Sequence, residues 1–180
     1  MEAAERVRSF EAQIVPHLRA GYTLARFLLR SEQDADDVLQ ESLLRAFRSF
    51  DDFRGGDARL WLLAVVRNGC WSFFERRGRL ESMSDPYQED EHGQRGAGRD
   101  ETPEVLLLRS LQQRELKDAV ATLSAQHREA LVLREVEGLS YKEIAQVANI
   151  PIGTVMSRLA RARRQVQTAL LSSGQAGGTR

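Results

Sequence analysis

The residues best suited to chemistry lie near the C-terminus, where segment 153–164 contains four arginines and no acidic residue. At about 100° per residue, a helix over this segment would place five polar side chains on one face or its flank. They are Thr154, Ser157, Arg158, Arg161 and Arg164. Guanidinium groups can bind guanine edges or phosphates, and short hydroxyls let a helix approach the major groove closely. This face is a candidate DNA-binding surface, and the alternative is a solvated arginine face on an ordinary helical bundle.

The residues around this segment predict a helix-turn-helix. Ser140 and Glu143 form a capping box that begins a short helix, and Asn149 ends it. Pro151 suits the first turn of the next helix, which we expect to continue to about Leu171. The apolar residues of that helix recur at spacings of three and four and are expected to be core: Ile152, Val155, Leu159, Ala162, Val166 and Leu170. The turn between the two helices is too short for any arrangement other than a helix-turn-helix.

A second group of residues is suited to capturing an unpaired DNA strand. Aromatic residues interleave with arginines over residues 59–79: Trp61, Trp71, Phe73 and Phe74 with Arg59, Arg67, Arg76, Arg77 and Arg79. Aromatic rings can stack on unpaired bases while arginines hold the phosphates. The competing interpretation is structural, since Trp61 and the apolar cluster from Cys70 to Phe74 are also needed to close a helical bundle.

The third candidate surface is the outer face of a helix predicted over residues 34–50. Its core side carries Ala35, Leu39, Leu43, Ala46, Phe47 and Phe50, and its outer side carries Asp34, Asp37, Gln40, Glu41, Arg45 and Arg48. Glu41 and Arg45 form a favourable i,i+4 pair that needs no partner molecule. Leu44, however, is also exposed on this side, and an apolar residue inside a polar rim is typical of a protein interface.

Helical periodicity without useful β-type alternation predicts an all-α protein of two small domains. The first domain covers residues 1–78, with helices over about 10–29, 34–50 and 58–77, and Pro16 marks either a kink in the first helix or its late start. Residues 79–104 have the composition of a flexible acidic linker, with eight acidic residues and two arginines from position 81 onward. The second domain covers residues 105–174, and Ser124 is expected to cap its second helix, which ends at Gly138.

Composition argues against several classes of protein. The formal net charge is zero, but the basic helix faces and the acidic linker are separate, and local charge governs nucleic-acid binding. No apolar run approaches the roughly 20 residues that span a bilayer, and no secretory signal is visible, so we expect a cytoplasmic protein without membrane insertion. The histidines lie in separate segments: His17, His92 and His127. With no phosphate loop or metal-ligand cluster, we expect no enzyme activity, cofactor, metal or small-molecule substrate.

Three segments resemble the extracytoplasmic-function (ECF) sigma factors of the bacterial sigma-70 family. LSAQHREALVLREVEGLSYKEIAQVANIPIGTVMSRLARARRQV resembles their region four, which binds the promoter minus-35 element. DADDVLQESLLRAFR resembles the segment that grips the polymerase clamp. FRGGDARLWLLAVVRN, followed by ERRGR, resembles the part that melts and reads the minus-10 element. The segments occur in the family's order with its linker between them, and together they span most of residues 10–170.

The resemblance implies a function without catalysis: binding core RNA polymerase, directing it to promoters and promoting DNA melting. It implies polymerase contacts at Asp37, Gln40, Glu41 and Leu44. It implies minus-10 contacts at Phe53, Arg54, Arg67, Asn68, Arg76 and Arg77, and minus-35 contacts at Thr154, Ser157, Arg158, Arg161 and Arg164. It also implies an anti-sigma factor as a further partner. Pro151 departs from the family pattern, in which many members have a serine or threonine.

An alternative is a helix-turn-helix regulator that acts without polymerase. It explains residues 124–171 equally well, but it accounts neither for the polymerase-like nor for the minus-10-like segment of the first domain. Gel-shift experiments with and without core polymerase would separate the two functions.

Overall fold

The computed structural model describes residues 3–81 and 114–176. The first unit contains four α-helices: α1 (Ala3–Ile14), α2 (Leu18–Leu29), α3 (Glu32–Arg48) and α4 (Ala58–Glu81). Short 3₁₀ turns at Val15–His17 and Phe50–Asp52 follow α1 and α3. The all-α prediction is confirmed. Helix α4 continues three residues into the segment predicted as linker, and the rest of that segment, 82–104, lies outside the described residues.

Local signals explain where these helices begin and end. Pro16 lies in the 3₁₀ turn that separates α1 from α2, since its ring fixes φ and it lacks an amide proton. The hydroxyl of Ser31 accepts a hydrogen bond from the Asp34 amide at 3.2 Å and caps α3. Gly55 and Gly56 adopt φ values of 87° and 112° in the loop before α4, a region that favours glycine.

The second unit contains helix α5, described over residues 114–121, followed by α6 (Ala125–Leu131), α7 (Tyr141–Ala148) and α8 (Ile152–Ala176). A π-helical turn, Val132–Val136, extends α6, and Gly138 then adopts φ 69°. The predicted capping box is confirmed, because Ser140 and Glu143 exchange side-chain-to-backbone hydrogen bonds in both directions. Asn149 ends α7 in the left-handed conformation with φ 51°.

The two units pack against each other, with α4 lying against α7 and α2 against α6. One hydrophobic cluster crosses the contact and includes Leu28 and Leu63 from the first unit and Leu133 and Ile144 from the second. Within α8, Val155, Leu159 and Ala162 are buried as predicted, but Ile152 is 40% exposed. The prediction that Ile152 is core was therefore wrong, since Val155 is the buried apolar residue of the first turn of α8, and Val166 and Leu170, also predicted as core, are half-buried.

Neither described part of the chain contains a helix long and apolar enough to cross a membrane.

Candidate nucleic-acid interface

Four predicted minus-35 residues lie along the outer side of α8. Ser157, Arg161 and Arg164 are exposed and Thr154 is half-buried. The Ser157 hydroxyl donates to the Thr154 carbonyl at 3.0 Å. The guanidinium groups of Arg161 and Arg164 have no hydrogen-bond or ion-pair partner among the described residues, so they are available to an anionic ligand. Arg163 points elsewhere and pairs with Glu135 at 2.6 Å, a contact that raises its pKa.

The fifth predicted residue, Arg158, faces the protein interior. Its guanidinium lies 3.6 Å from Oε2 of Glu129, whose side chain is 1% exposed. The other carboxylate oxygen of Glu129 accepts hydrogen bonds from Arg67 Nε at 2.7 Å and from the Trp71 indole N–H at 2.9 Å. One buried carboxylate thus contacts Arg67 and Arg158, residues predicted to bind two different promoter elements.

The other predicted minus-10 residues differ in exposure. Arg54 and Asn68 are exposed, and the Asn68 side-chain oxygen accepts a hydrogen bond from Arg67 Nη1 at 3.2 Å. Phe53 is half-buried, with its ring 5.0 Å from that of Trp61 and 6.0 Å from that of Phe50. The structure therefore packs Phe53 on the edge of the aromatic core rather than in open solvent.

The remaining pair, Arg76 and Arg77, faces acidic residues of α3. Arg76 lies 3.2 Å from Glu41, and Arg77 lies 3.6 Å from Asp34. The ring of Phe73 is 5.9 Å from the Arg77 guanidinium carbon. These ion pairs hold the C-terminal half of α4 against α3.

The predicted polymerase residues share the exposed side of α3. Asp37 and Gln40 are exposed, Glu41 is half-buried, and Leu44 is 59% exposed. Glu41 accepts hydrogen bonds from Arg45 and from Arg76. Both bonds lower the pKa of its carboxyl group, and the bond from Arg45 has the larger effect. The result is an apolar side chain with fixed charges around it.

Sequence reasoning missed the role of two acidic residues in the second unit, Glu129 and Glu137. Arg59 donates both to the carboxylate and to the backbone carbonyl of Glu137, each at 2.6 Å. Glu129 directly precedes the apolar run 130–133, and an acid buried beside such a run indicates that a buried cation faces it. The sequence does not say which cation that is.

Cys70 is buried, and this burial raises the pKa of its thiol to about 12. The negative charge of nearby Glu129 contributes to the same shift, to a smaller extent. This agrees with the interpretation of Cys70 as a packing residue, because the reactive thiolate is suppressed.

Comparison with known proteins identifies both units. The protein-family model "Sigma-70 region 2" matches residues 14–80, and the family model "Sigma-70, region 4" matches residues 113–166. The ECF RNA polymerase sigma-E factor of Haemophilus influenzae is 37% identical over 151 residues, covering 82% of this chain and 79% of that protein. The RNA polymerase sigma-H factor of Pseudomonas aeruginosa is 34% identical over 167 residues, covering 91% and 86%.

A solved structure supports the same assignment. The sigma factor RpoE in complex with the anti-sigma factor NepR from Bartonella quintana aligns with a TM-score of 0.75 and 28% identity, covering 91% of this chain and 97% of that one. The chain belongs to the sigma-70 family of RNA polymerase sigma factors. Within the family it is of the ECF type, which binds core RNA polymerase, directs it to specific promoters and promotes DNA melting for transcription initiation.

Proposed function

We propose that this sigma factor binds core polymerase, the minus-10 element and the minus-35 element through three separate surfaces. The outer side of α3 binds core polymerase, the loop before α4 together with α4 engages the minus-10 element, and the polar side of α8 binds the minus-35 element. Residues 1–78 then form the polymerase and minus-10 domain, residues 105–174 form the minus-35 domain, and residues 79–104 connect them. Because polymerase and the chromosome are its partners, the protein acts in the cytoplasm.

The observation that carries the proposal is the arginine pair on α8. Arg161 and Arg164 are three residues apart on one side of the helix, and both are exposed. The helix follows a capped α7 and a tight turn, which is the geometry that presents a recognition helix to the major groove. Half-buried Thr154 and exposed Ser157 lie on the same side of the helix, before the arginines and nearer to its N-terminus, so this side also offers short hydroxyls.

The test compares two arginines of the same helix. Arg161→Ala should weaken minus-35 binding by the holoenzyme by about 1–3 kcal/mol if the side chain reads a base, with relaxed specificity at one position. Arg163→Ala is the matched control, since Arg163 pairs with Glu135 away from the proposed surface. Binding would be measured by fluorescence anisotropy on labelled promoter duplexes over a range of salt concentrations. Uniform weakening with a shallower salt slope would assign Arg161 to a phosphate, and equal binding by both variants would refute the proposed surface.

The minus-10 surface is proposed around the exposed side chains of Arg54 and Asn68. An asparagine amide offers both a donor and an acceptor to a base edge, and a flexible arginine can neutralise a phosphate. Phe53 would have to leave its contact with Trp61 to stack on a base. Permanganate footprinting of the melted region should therefore show less open complex for Asn68→Ala than for the unmodified protein, and unchanged melting would exclude Asn68 from the surface.

An anti-sigma factor is proposed as the inhibitory partner. The similar sigma factor RpoE was solved in complex with the anti-sigma factor NepR. CnrH, which aligns at a TM-score of 0.60 and 27% identity, was solved in complex with the cytosolic domain of CnrY. The tagged protein would be purified from its native cells without cross-linking to polymerase. The anti-sigma factor should then co-purify with it.

A further inference from the structure

Helix α8 exposes a row of apolar side chains in its first three turns. Ile152 is 40% exposed, Met156 one turn later is 53% exposed, and Ala160 one turn further along is also exposed. These residues are four positions apart, so they form one row along the helix, the apolar strip. The buried side of the same turns is formed instead by Val155 and Leu159. The core of the second unit therefore does not account for the apolar strip.

The apolar strip lies beside the exposed side chains of the proposed minus-35 surface. At about 100° per residue, Arg164 continues the row of the strip, turned about 80° from Met156 around the helix axis. Arg164 is exposed, and so is Ser157, the residue directly after Met156. Met156 is the fifth residue of α8, and the N-terminal part of a recognition helix is the part that contacts base edges. A duplex that contacts this surface therefore also faces Met156.

The surface around Met156 is shallow. Its neighbours at i−3 and i+4 are Gly153 and Ala160, and both are exposed. A Cβ built on Gly153 would have no neighbouring group within 4 Å, so packing does not require glycine at this position. Glycine also lowers helix stability relative to alanine. The two short side chains leave Met156 projecting above them, and they let a partner approach the helix closely.

The major groove of DNA offers one apolar group to such a side chain, the 5-methyl group of thymine. The other base-edge groups that identify a base pair there are hydrogen-bond donors and acceptors. A thioether satisfies them poorly, because its sulfur is only a weak acceptor and it has no donor. Methionine is unbranched and polarisable, so it adapts to the position of a methyl group. A methionine on the exposed side of a recognition helix is therefore suited to contact thymine.

We propose that Met156 is a specificity-determining residue of this sigma factor, and that its side chain contacts the 5-methyl group of a thymine in the minus-35 element. The inference rests on the proposed function, which assigns the polar side of α8 to that element. Segment 153–164 contains four arginines and no acidic residue, and this charge favours DNA over a protein as the occupant of the apolar strip. Arg161 and Arg164 supply the attraction to DNA, and Met156 adds a preference for thymine at one base pair.

The test removes the methyl group from the DNA. The holoenzyme would first select tightly bound duplexes from a library with random minus-35 sequences. Each thymine of a selected duplex would then be replaced singly by deoxyuridine, which lacks only the 5-methyl group. At one position this replacement should weaken binding by the unmodified holoenzyme about fourfold, the factor expected for burial of one methyl group. Holoenzyme with Met156→Ala should bind the thymine and deoxyuridine duplexes equally.

Two further variants make the result specific, with the fold of each checked by circular dichroism. Met156→Leu keeps a large apolar side chain and should retain a preference for the thymine duplex. Leu116→Ala is the matched control, because Leu116 is 48% exposed on α5, away from α8, and it should keep the full fourfold difference. The measurement on the unmodified holoenzyme needs no substitution. If no thymine in the selected duplexes is sensitive to loss of its methyl group, the proposal is overturned even if Met156→Ala does not fold.

The outcomes separate this inference from the proposed function. If Arg161→Ala weakens minus-35 binding while Met156→Ala still distinguishes thymine from deoxyuridine fourfold, the minus-35 surface stands and the role of Met156 is refuted. If neither variant changes the binding of any duplex, α8 is not the DNA-binding surface and both proposals fail. Loss of core polymerase binding by Met156→Ala, with thymine discrimination unchanged, would assign the apolar strip to a protein contact and overturn the role of Met156.

Discussion

Truncation of Leu44 should separate polymerase binding from folding. The side chain is 59% exposed on α3, so less than half of its surface contributes to the core. Full burial of a leucine is worth about 1.5–3 kcal/mol, and Leu44→Ala should therefore lower the free energy of unfolding by about 1 kcal/mol or less. The same exposed surface would be buried by a partner, and truncating an interface anchor commonly costs about 2 kcal/mol or more, roughly thirtyfold in affinity.

The assay is competition for core polymerase. Labelled unmodified protein would be displaced by each variant, with helicity checked by circular dichroism. Leu171→Ala is the matched control, because Leu171 is 64% exposed near the end of α8 and lies outside the proposed polymerase surface. Adding Glu41→Lys to Leu44→Ala should weaken polymerase binding further. The lysine replaces an acid on the rim of the interface, and its positive charge is repelled by Arg45 and Arg76. A folded Leu44→Ala variant that competes as well as the Leu171→Ala control would place the polymerase interface elsewhere, and a loss of helicity would mean that Leu44 supports the fold.

Three further predictions concern local chemistry. Ser140→Ala removes the side-chain half of the capping box and should destabilise the fold by about 1 kcal/mol, measured by urea unfolding. Hydrogen bonds from Ser140 lower the pKa of the Glu143 carboxyl group, so the stability they add is present above its ordinary pKa and is lost as pH falls through the lowered value. The difference in unfolding free energy between Ser140→Ala and the unmodified protein should therefore narrow in acid, leaving the part due to the bond from the Glu143 amide to the Ser140 hydroxyl, and a difference that does not narrow would contradict this. Cys70 should react with a thiol reagent at pH 8 only after denaturant is added, because its thiol is buried with a pKa of about 12, and rapid labelling of the native protein would show that α4 opens readily.

Features confined to a single helical turn were determined by the sequence. Pro16, the Ser140–Glu143 capping box and Asn149 act through bonds to neighbours within a few positions, and each marks a helix boundary in the structure. Apolar spacing likewise identified the buried positions Val155, Leu159 and Ala162 of α8, whereas Val166 and Leu170 are half-buried and Ile152 is exposed. These helix boundaries therefore follow from short-range rules, although the single helix predicted over about 10–29 is divided by the turn at Pro16 into α1 and α2.

The surroundings of the candidate site were decided by tertiary structure. From the sequence, Arg67 and Arg158 look like Arg161, an arginine on the polar side of a helix, yet Arg67 and Arg158 face buried Glu129 while Arg161 is exposed. Glu129 is 62 positions from Arg67, and helical periodicity carries no information over such a distance. A helix pattern shows which side of a helix is polar. Whether solvent, a nucleic acid or another part of the same chain covers that side depends on how the helices pack, because burial and charge pairing are properties of the whole assembled core.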